Sequence, residues 1–291
     1  MKKLSRLSWV LPAIIAVIGM AACGKSILMD KAALGKVKTV AVIGYTTPTT
    51  IKFRDNPRED KEPLLAMVIN AALGSNGSKA ATLAHGTFIN ELNNQGLSFR
   101  FLTRSEMMGN AEFRNLAKKM RDLSLAAQAK KLRSGGVMGA ALGMLSGGDS
   151  GPRPGASPDG MPQFGLLGGY KLSGTVKRTT DELDYMNRSA KALNVDAVML
   201  VDDSGYSFSC DACIGGTGSA STGSAFLATM IDRNGKTILE LRQWFATSKG
   251  SAVVAGYVVN PLQWDKLFRA HGQKMAVEWA KQYKEDWAAK K

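Results

Sequence analysis

Cysteine and histidine are scarce in this chain, with three and two copies respectively among 291 residues. That scarcity argues against metal and haem chemistry. No histidine directly follows Cys213, so Cys210-Asp211-Ala212-Cys213 is not a covalent haem attachment site. A Cys₂His₂ zinc site would have to recruit His85 and His271, both in distant helical patterns. Long apolar runs are lacking too. Beyond residue 22 no stretch approaches the ~18 uncharged apolar residues of a spanning helix. No internal repeat is evident, which argues against a solenoid or propeller.

What the chain does have begins at its amino end. Gly19-Met20-Ala21-Ala22-Cys23-Gly24-Lys25-Ser26 fits two templates. As G-x-x-x-x-G-K-S it is a phosphate loop, whose backbone N–H groups and Lys25 would cradle a nucleotide. Val198-Met199-Leu200-Val201-Asp202 would then supply the carboxylate for magnesium. As Ala21-Ala22-Cys23 after an apolar run it is a lipoprotein processing site. Lys2, Lys3 and Arg6 precede an uncharged stretch from Leu7 to Ala22. A basic start, an apolar middle and small residues are the layout of a secretory signal. Pro12 interrupts the run, and it is shorter than the ~20 residues needed to span. Cleavage before Cys23 would separate Gly19 from Gly24 and dismantle the loop. We therefore read residues 1–22 as a signal peptide and Cys23 as the lipidated residue. Several acyl chains on one cysteine give lasting attachment. Gly24 in place of Asp directs such a protein to the outer membrane.

An apolar fraction of 45% supports a real core. Loss of the leader cations Lys2, Lys3 and Arg6 takes 3 from the net charge of +14 and leaves +11. In an envelope the anionic partners for such a surface are lipid head groups, peptidoglycan and acidic proteins, with no nucleic acid.

Val37 to Gly44 is a β-branched strand, and a polar connection follows. Pro63 opens a helix to about Leu73, and Lys79 to Gln95 forms another, closed by Gly96. Leu97 to Thr103 reads as a strand. Ser105 caps a long helix with Phe113, Leu116, Met120 and Leu123 on one face. Thr180 caps a helix to Leu193, and Ala197 to Asp202 is a buried strand. Asn234-Gly235 marks a hairpin between Ser224–Ile231 and Lys236–Phe245, with Leu239, Leu241 and Phe245 on one face. Asn260-Pro261 starts a last helix. The fold class is α/β, a mixed sheet with an antiparallel hairpin covered by helices. After the signal come a lipidated tether (23–35), the first part of the domain (36–133), a Gly/Pro-rich insert (134–168) and the second part (169–291).

This order resembles a group of outer-membrane lipoproteins that includes the curli secretion-channel subunit (CsgG) and the LpoB-type activators of peptidoglycan synthases. The resemblance rests on Lys38-Thr39-Val40-Ala41-Val42, Phe99-Arg100-Phe101-Leu102-Thr103-Arg104, Leu193-Asn194-Val195-Asp196-Ala197-Val198-Met199-Leu200 and the meander around Ile231-Asp232-Arg233-Asn234-Gly235-Lys236. It covers about residues 36–110 and 180–285, and departs at the insert. It implies a non-catalytic, periplasm-facing domain that binds other envelope proteins or peptidoglycan in envelope assembly or secretion. An oligomeric secretion-channel subunit is the second reading, and an intracellular P-loop nucleotide hydrolase the third.

With Cys23 acylated, Cys210 and Cys213 remain as an even pair in an oxidising compartment. A short-range disulfide is expected, with free thiols or a redox or metal pair as alternatives. His85 and His271 lie on apolar helix faces and read as core residues; Asp202-Asp203 reads as a solvated strand end. No catalytic residue, cofactor or metal is assigned. Arg114, Lys118, Lys119, Arg121, Lys130, Lys131 and Arg133 make one helix basic, either a solvated face or a surface for anionic membrane. Trp287 is the aromatic of the last helix most open to a partner. Gly135, Gly139, Gly143 and Gly147 recur every four residues. On a helix they would form one face for membrane or homo-oligomer contact, while the prolines that follow favour a mobile loop.

Overall fold

Two parallel strands form the centre, and both read as near-continuous apolar runs because both of their faces are covered. The computed structural model describes residues 26–48, 52–53, 63–134, 155–162, 179–203, 207–210, 214, 217–246, 252–255, 258–259 and 263–289. Its strands are β1 (Ser26–Met29), β2 (Thr39–Pro48), β3 (Lys52–Phe53), β4 (Arg100–Phe101), β5 (Gly155–Ala156), β6 (Ala197–Asp203), β7 (Ser207–Cys210), β8 (Gly218–Asp232), β9 (Thr237–Ala246), β10 (Ala252–Ala255) and β11 (Val258–Val259). Its helices are α1 (Lys31–Leu34), α2 (Pro63–Asn94), α3 (Arg104–Gly109), α4 (Ala111–Ser134), α5 (Thr180–Ala192) and α6 (Trp264–Ala288).

The main sheet runs β1-β9-β8-β6-β2-β4. β2 pairs in parallel with β6 and β4, and the β6-β8-β9-β1 side is antiparallel. The expected mixed α/β sheet with an antiparallel hairpin is what forms. Helices α2 and α6 pack on each other across one face, and α5, backed by α4, covers β2 and β6 on the other.

A β-bulge decides which side chains meet. The β2–β6 register pairs Val42 with Met199 but Gly44 with Leu200, so Ile43 is the extra residue. One extra residue reverses the alternation of a strand. Val42 and Tyr45 therefore share the α2/α6 face, together with Met199, Val201 and Asp203 of β6. Ile43 turns the other way, where its carbonyl accepts from the Tyr185 hydroxyl at 3.0 Å.

Several local readings need correction. Residues 26–35, read as tether, belong to the domain: β1 pairs antiparallel with β9 and α1 follows it. The two helices expected at 63–73 and 79–95 are one helix, α2. Gly and Asn cost roughly 0.7–1 kcal/mol each inside a helix, a bias that packing overrides. Ser105 is not the cap. Thr103 caps α3 in a reciprocal box with Glu106, and the Asn110 side chain accepts from the Phe113 N–H to open α4. Glu106 also receives Arg100 at 2.8 Å, and that guanidinium first, then the Thr103 N–H, holds its carboxyl down at about 2. The α5 cap is Thr179 with Glu182, one residue before the expected Thr180.

Phe113, Leu116 and Met120 of α4 are buried, but Leu123 is 44% exposed. Asn110 donates to the carbonyl of Ala192, so α4 starts beside the end of α5 and runs back along it. The thirteen residues of α5 end about level with Leu123, so the apolar stripe outruns its partner.

Part of the insert is also fixed. β5 pairs with the end of β2, and Pro158-Asp159-Gly160-Met161 is a turn closed by the Met161 N–H on the Pro158 carbonyl at 2.9 Å. Gly160 takes a φ of +74° there, in the left-handed region that favours glycine. Asp159 receives Ser78 at 2.5 Å, its N–H donates to Thr82, and its carbonyl accepts from Arg104. Met161 is buried. For these eight residues a docked strap replaces the expected loop. Gly135, Gly139, Gly143 and Gly147 lie outside the described residues, as do Cys23 and Cys213. Cys210 ends β7, paired with Ala220.

Candidate functional site

The bulge, the end of β6 and the crossing of two helices bring five polar side chains together in the core. Tyr45 donates its hydroxyl to Asp203 Oδ2 at 2.9 Å. His271 Nε2 meets the same oxygen at 2.8 Å. Ser224, one step along β8 on the same face, donates to Oδ1. His85 stands beside the Tyr45 ring, 5.9 Å between centroids, and Phe245 lies edge-on to His271 at 4.8 Å. Tyr45, His85, Asp203 and His271 have no exposed surface, and Ser224 is 2% exposed.

Helix packing sets this geometry. A Cβ at Gly272 would stand 2.1 Å from the Ala84 carbonyl oxygen, so α2 and α6 cross with backbone almost against backbone. The next residue on α2 is His85 and the previous one on α6 is His271. Glycine at the crossing is what lets both imidazoles reach the sheet.

His85 Nε2 lies 3.0 Å from the Val42 carbonyl, which can only accept, so Nε2 carries the proton and Nδ1 is a bare lone pair. Burial, and secondarily the charge of Arg104, push its pKa down to about 4 against the bond to Val42. Unfolded, the ring titrates near 6.5. Between those values the unfolded chain binds the extra proton, so stability is complete above about pH 6.5 and falls as pH drops toward 4, by about 3 kcal/mol. His85→Gln keeps a donor for Val42 and removes the titration. Denaturant midpoints measured from pH 7 to 4 are expected to fall less steeply in that variant than in the parent.

Chemically the cluster is a carboxylate with three donors around it. A serine nucleophile needs imidazole between itself and the acid. Here Ser224 and His271 both address Asp203, which makes the acid the hub and leaves the hydroxyl unactivated. A buried carboxylate is tolerable only when paired and hydrogen-bonded, and three donors supply that. The arrangement locks β2, β6, β8 and α6 together.

The histidines sit in the core, as expected. Asp202 and Asp203 do not form a solvated strand end, since they are 7% and 0% exposed. They point to opposite faces, which rules out a shared cation. Among the described residues no three of His, Cys, Asp and Glu converge as metal ligands. Nothing local in the sequence groups Tyr45, Asp203 and Ser224. Alternation along Met199–Asp203 does put the acid on the face of Val201, but the bulge that turns Tyr45 toward it has no clear signature.

The phosphate-loop reading fails on geometry. Its Ser26 must open a helix, and Ser26 opens strand β1 instead. Asp202, its supposed magnesium partner, lies in β6, with β9 and β8 between the two strands. At the usual strand spacing that separates them by ~14 Å.

On α4, Lys118 and Lys119 are exposed, while Arg114 bonds the Met108 and Gly109 carbonyls at 2.5 and 3.1 Å and caps α3. In α6, Phe268, Met275, Trp279 and Tyr283 are buried and Trp287 is 38% exposed. No helix among the described residues is long and apolar enough to cross a membrane. Comparison with protein-family models, curated proteins and solved structures returns no match.

Proposed function

We propose that this is an outer-membrane lipoprotein, anchored through acyl chains on Cys23, whose periplasmic α/β domain works by binding other envelope proteins or peptidoglycan. The observation that carries the reading is the amino end. Lys2, Lys3 and Arg6, the uncharged run to Ala22 and Ala21-Ala22-Cys23 form one processing signal. The fold supports it, because strand β1 opens at Ser26, three residues after Cys23. The competing nucleotide motif spans the same residues and has lost its helix. The sealed Asp203 cluster is consistent with a scaffold, since Tyr45, Ser224 and His271 all bond the one carboxylate. A role in envelope assembly or secretion follows from the resemblance to the CsgG and LpoB-type lipoproteins.

Cys23→Ala is expected to leave a full-length precursor that no longer fractionates with the outer membrane. Lys25→Ala is expected to be processed and sorted like the parent. Nucleotide binding by the purified protein, abolished by Lys25→Ala, would overturn the proposal.

A further inference from the structure

The distance between anchor and fold is short enough to decide how the domain sits. Cys23 is three residues before Ser26, the first residue of β1. Even a fully extended chain covers only ~3.5 Å per residue, so β1 starts within about 10 Å of the acylated residue. The sheet edge formed by β1 must lie against the head groups.

That edge is built for it. Ile27 and Leu28 of β1 are 40% and 37% exposed. Single exposed apolar residues are ordinary on any surface. Leu28 pairs with Glu240 and so points away from the α2/α6 face, and Trp287 flanks the same edge of the sheet from the α6 side. Lys31 donates to the carbonyls of Trp287 and Ala289 at 2.8 and 2.6 Å, which fixes the end of α6 beside the β1–α1 junction. α6 also packs against β1. Trp287 is the outermost ring of a stack, 5.8 Å from Tyr283, which in turn lies 5.3 Å from Trp279. A rigid tryptophan with an apolar body and an N–H is the side chain that favours the membrane interface. The surrounding charge has the matching sign. Residues 24–38 hold Lys25, Lys31, Lys36 and Lys38 against Asp30 alone, and Asp30 is paired with Lys236 at 2.6 Å.

We infer that Ile27, Leu28 and Trp287 form a seat that inserts into the head-group region of the bilayer carrying the anchor, holding the domain in a fixed orientation. The inference rests on the lipoprotein reading above. It means that the opposite edge of the sheet, at β4, is the one presented to the periplasm.

The test uses the natively acylated full chain in vesicles of equal parts phosphatidylethanolamine and phosphatidylglycerol, with lipids brominated near the head group as quenchers. Tryptophan emission is expected to be quenched, and Trp287→Phe to lose most of that quenching. Ile27→Ser combined with Leu28→Ser is expected to reduce it several-fold while the protein stays attached. All three substitutions are at exposed positions, and unchanged thermal unfolding verifies the fold. Attached, acylated protein with no quenching attributable to Trp287 would overturn the seat and leave the anchor standing. Protein without acyl mass, found only in the soluble fraction, would overturn both. Protection of Trp287 by a cross-linkable second copy would assign the patch to self-association and overturn the seat.

Discussion

Gly272→Ala is expected to destabilise the protein by about 2 kcal/mol net, although alanine is the better helix former. Two effects oppose each other. Alanine in place of glycine inside a helix gains about 1 kcal/mol. Against that, the added Cβ would lie 2.1 Å from the Ala84 oxygen and 2.8 Å from its carbonyl carbon, and backbone cannot swing aside as a flexible side chain does. Overpacking of this kind costs about 3 kcal/mol at its upper range. The crossing must open, and opening it draws His271 away from Asp203. For a domain of this size the net loss corresponds to a fall in Tm of about 4–8 °C. Gly86→Ala supplies the control on the facing helix. An added Cβ there meets nothing within 4 Å, so the propensity gain of up to ~1 kcal/mol should appear undiminished. Opposite signs at these two helical glycines, measured by thermal or denaturant unfolding, would establish the crossing. Equal stabilisation at both would refute it.

Asp203→Ala is expected to cost more, about 3–5 kcal/mol, because it strands the groups that point at the carboxylate. The Tyr45 hydroxyl, Ser224 and His271 are sealed from bulk solvent, which therefore cannot replace the lost acceptor. Ser224→Ala removes one donor from a hub that keeps two others, and is expected to cost about 1–1.5 kcal/mol. In a hydrolytic relay Ser224→Ala would abolish activity and barely touch stability. In a structural hub the aspartate dominates stability and the serine is secondary. A double-mutant cycle between Asp203 and His271 should show coupling of more than about 1 kcal/mol, as residues sharing one network do.

Much of this architecture is legible from residue pattern alone. Val37 to Gly44 announces the central strand by its β-branched run, and Asn234-Gly235 places the β8–β9 turn, where Gly235 has a φ of +85°. Leu239, Leu241 and Phe245 alternate onto the buried α2/α6 face as the pattern requires. Capping was readable in kind but misplaced. Thr103-Arg104-Ser105-Glu106 contains the Thr-x-x-Glu spacing of a capping box, which identifies Thr103 rather than Ser105.

What escaped the pattern depends on distant chain segments. Ser26–Met29 has no alternation to mark it as a strand, and it is fixed by β9, at the far end of the sequence. Asp203 looks like a solvated end because the local sequence cannot show that β8 continues beside it to Ser224 and beyond. The Asp203 cluster needed three things at once: a bulge at Ile43, a glycine at the helix crossing and the length of β8. Each is a property of packing between elements. The helical spacing around His85 and His271 showed that they are buried, but not that they are neighbours.

The most direct test of the lipoprotein account is the intact mass of the protein purified from its native membrane without added proteolysis. The account predicts a chain that begins at Cys23, has lost Met1 to Ala22 and carries the added mass of acyl chains on that cysteine. A chain that begins at Met1 with unmodified Cys23 would contradict it.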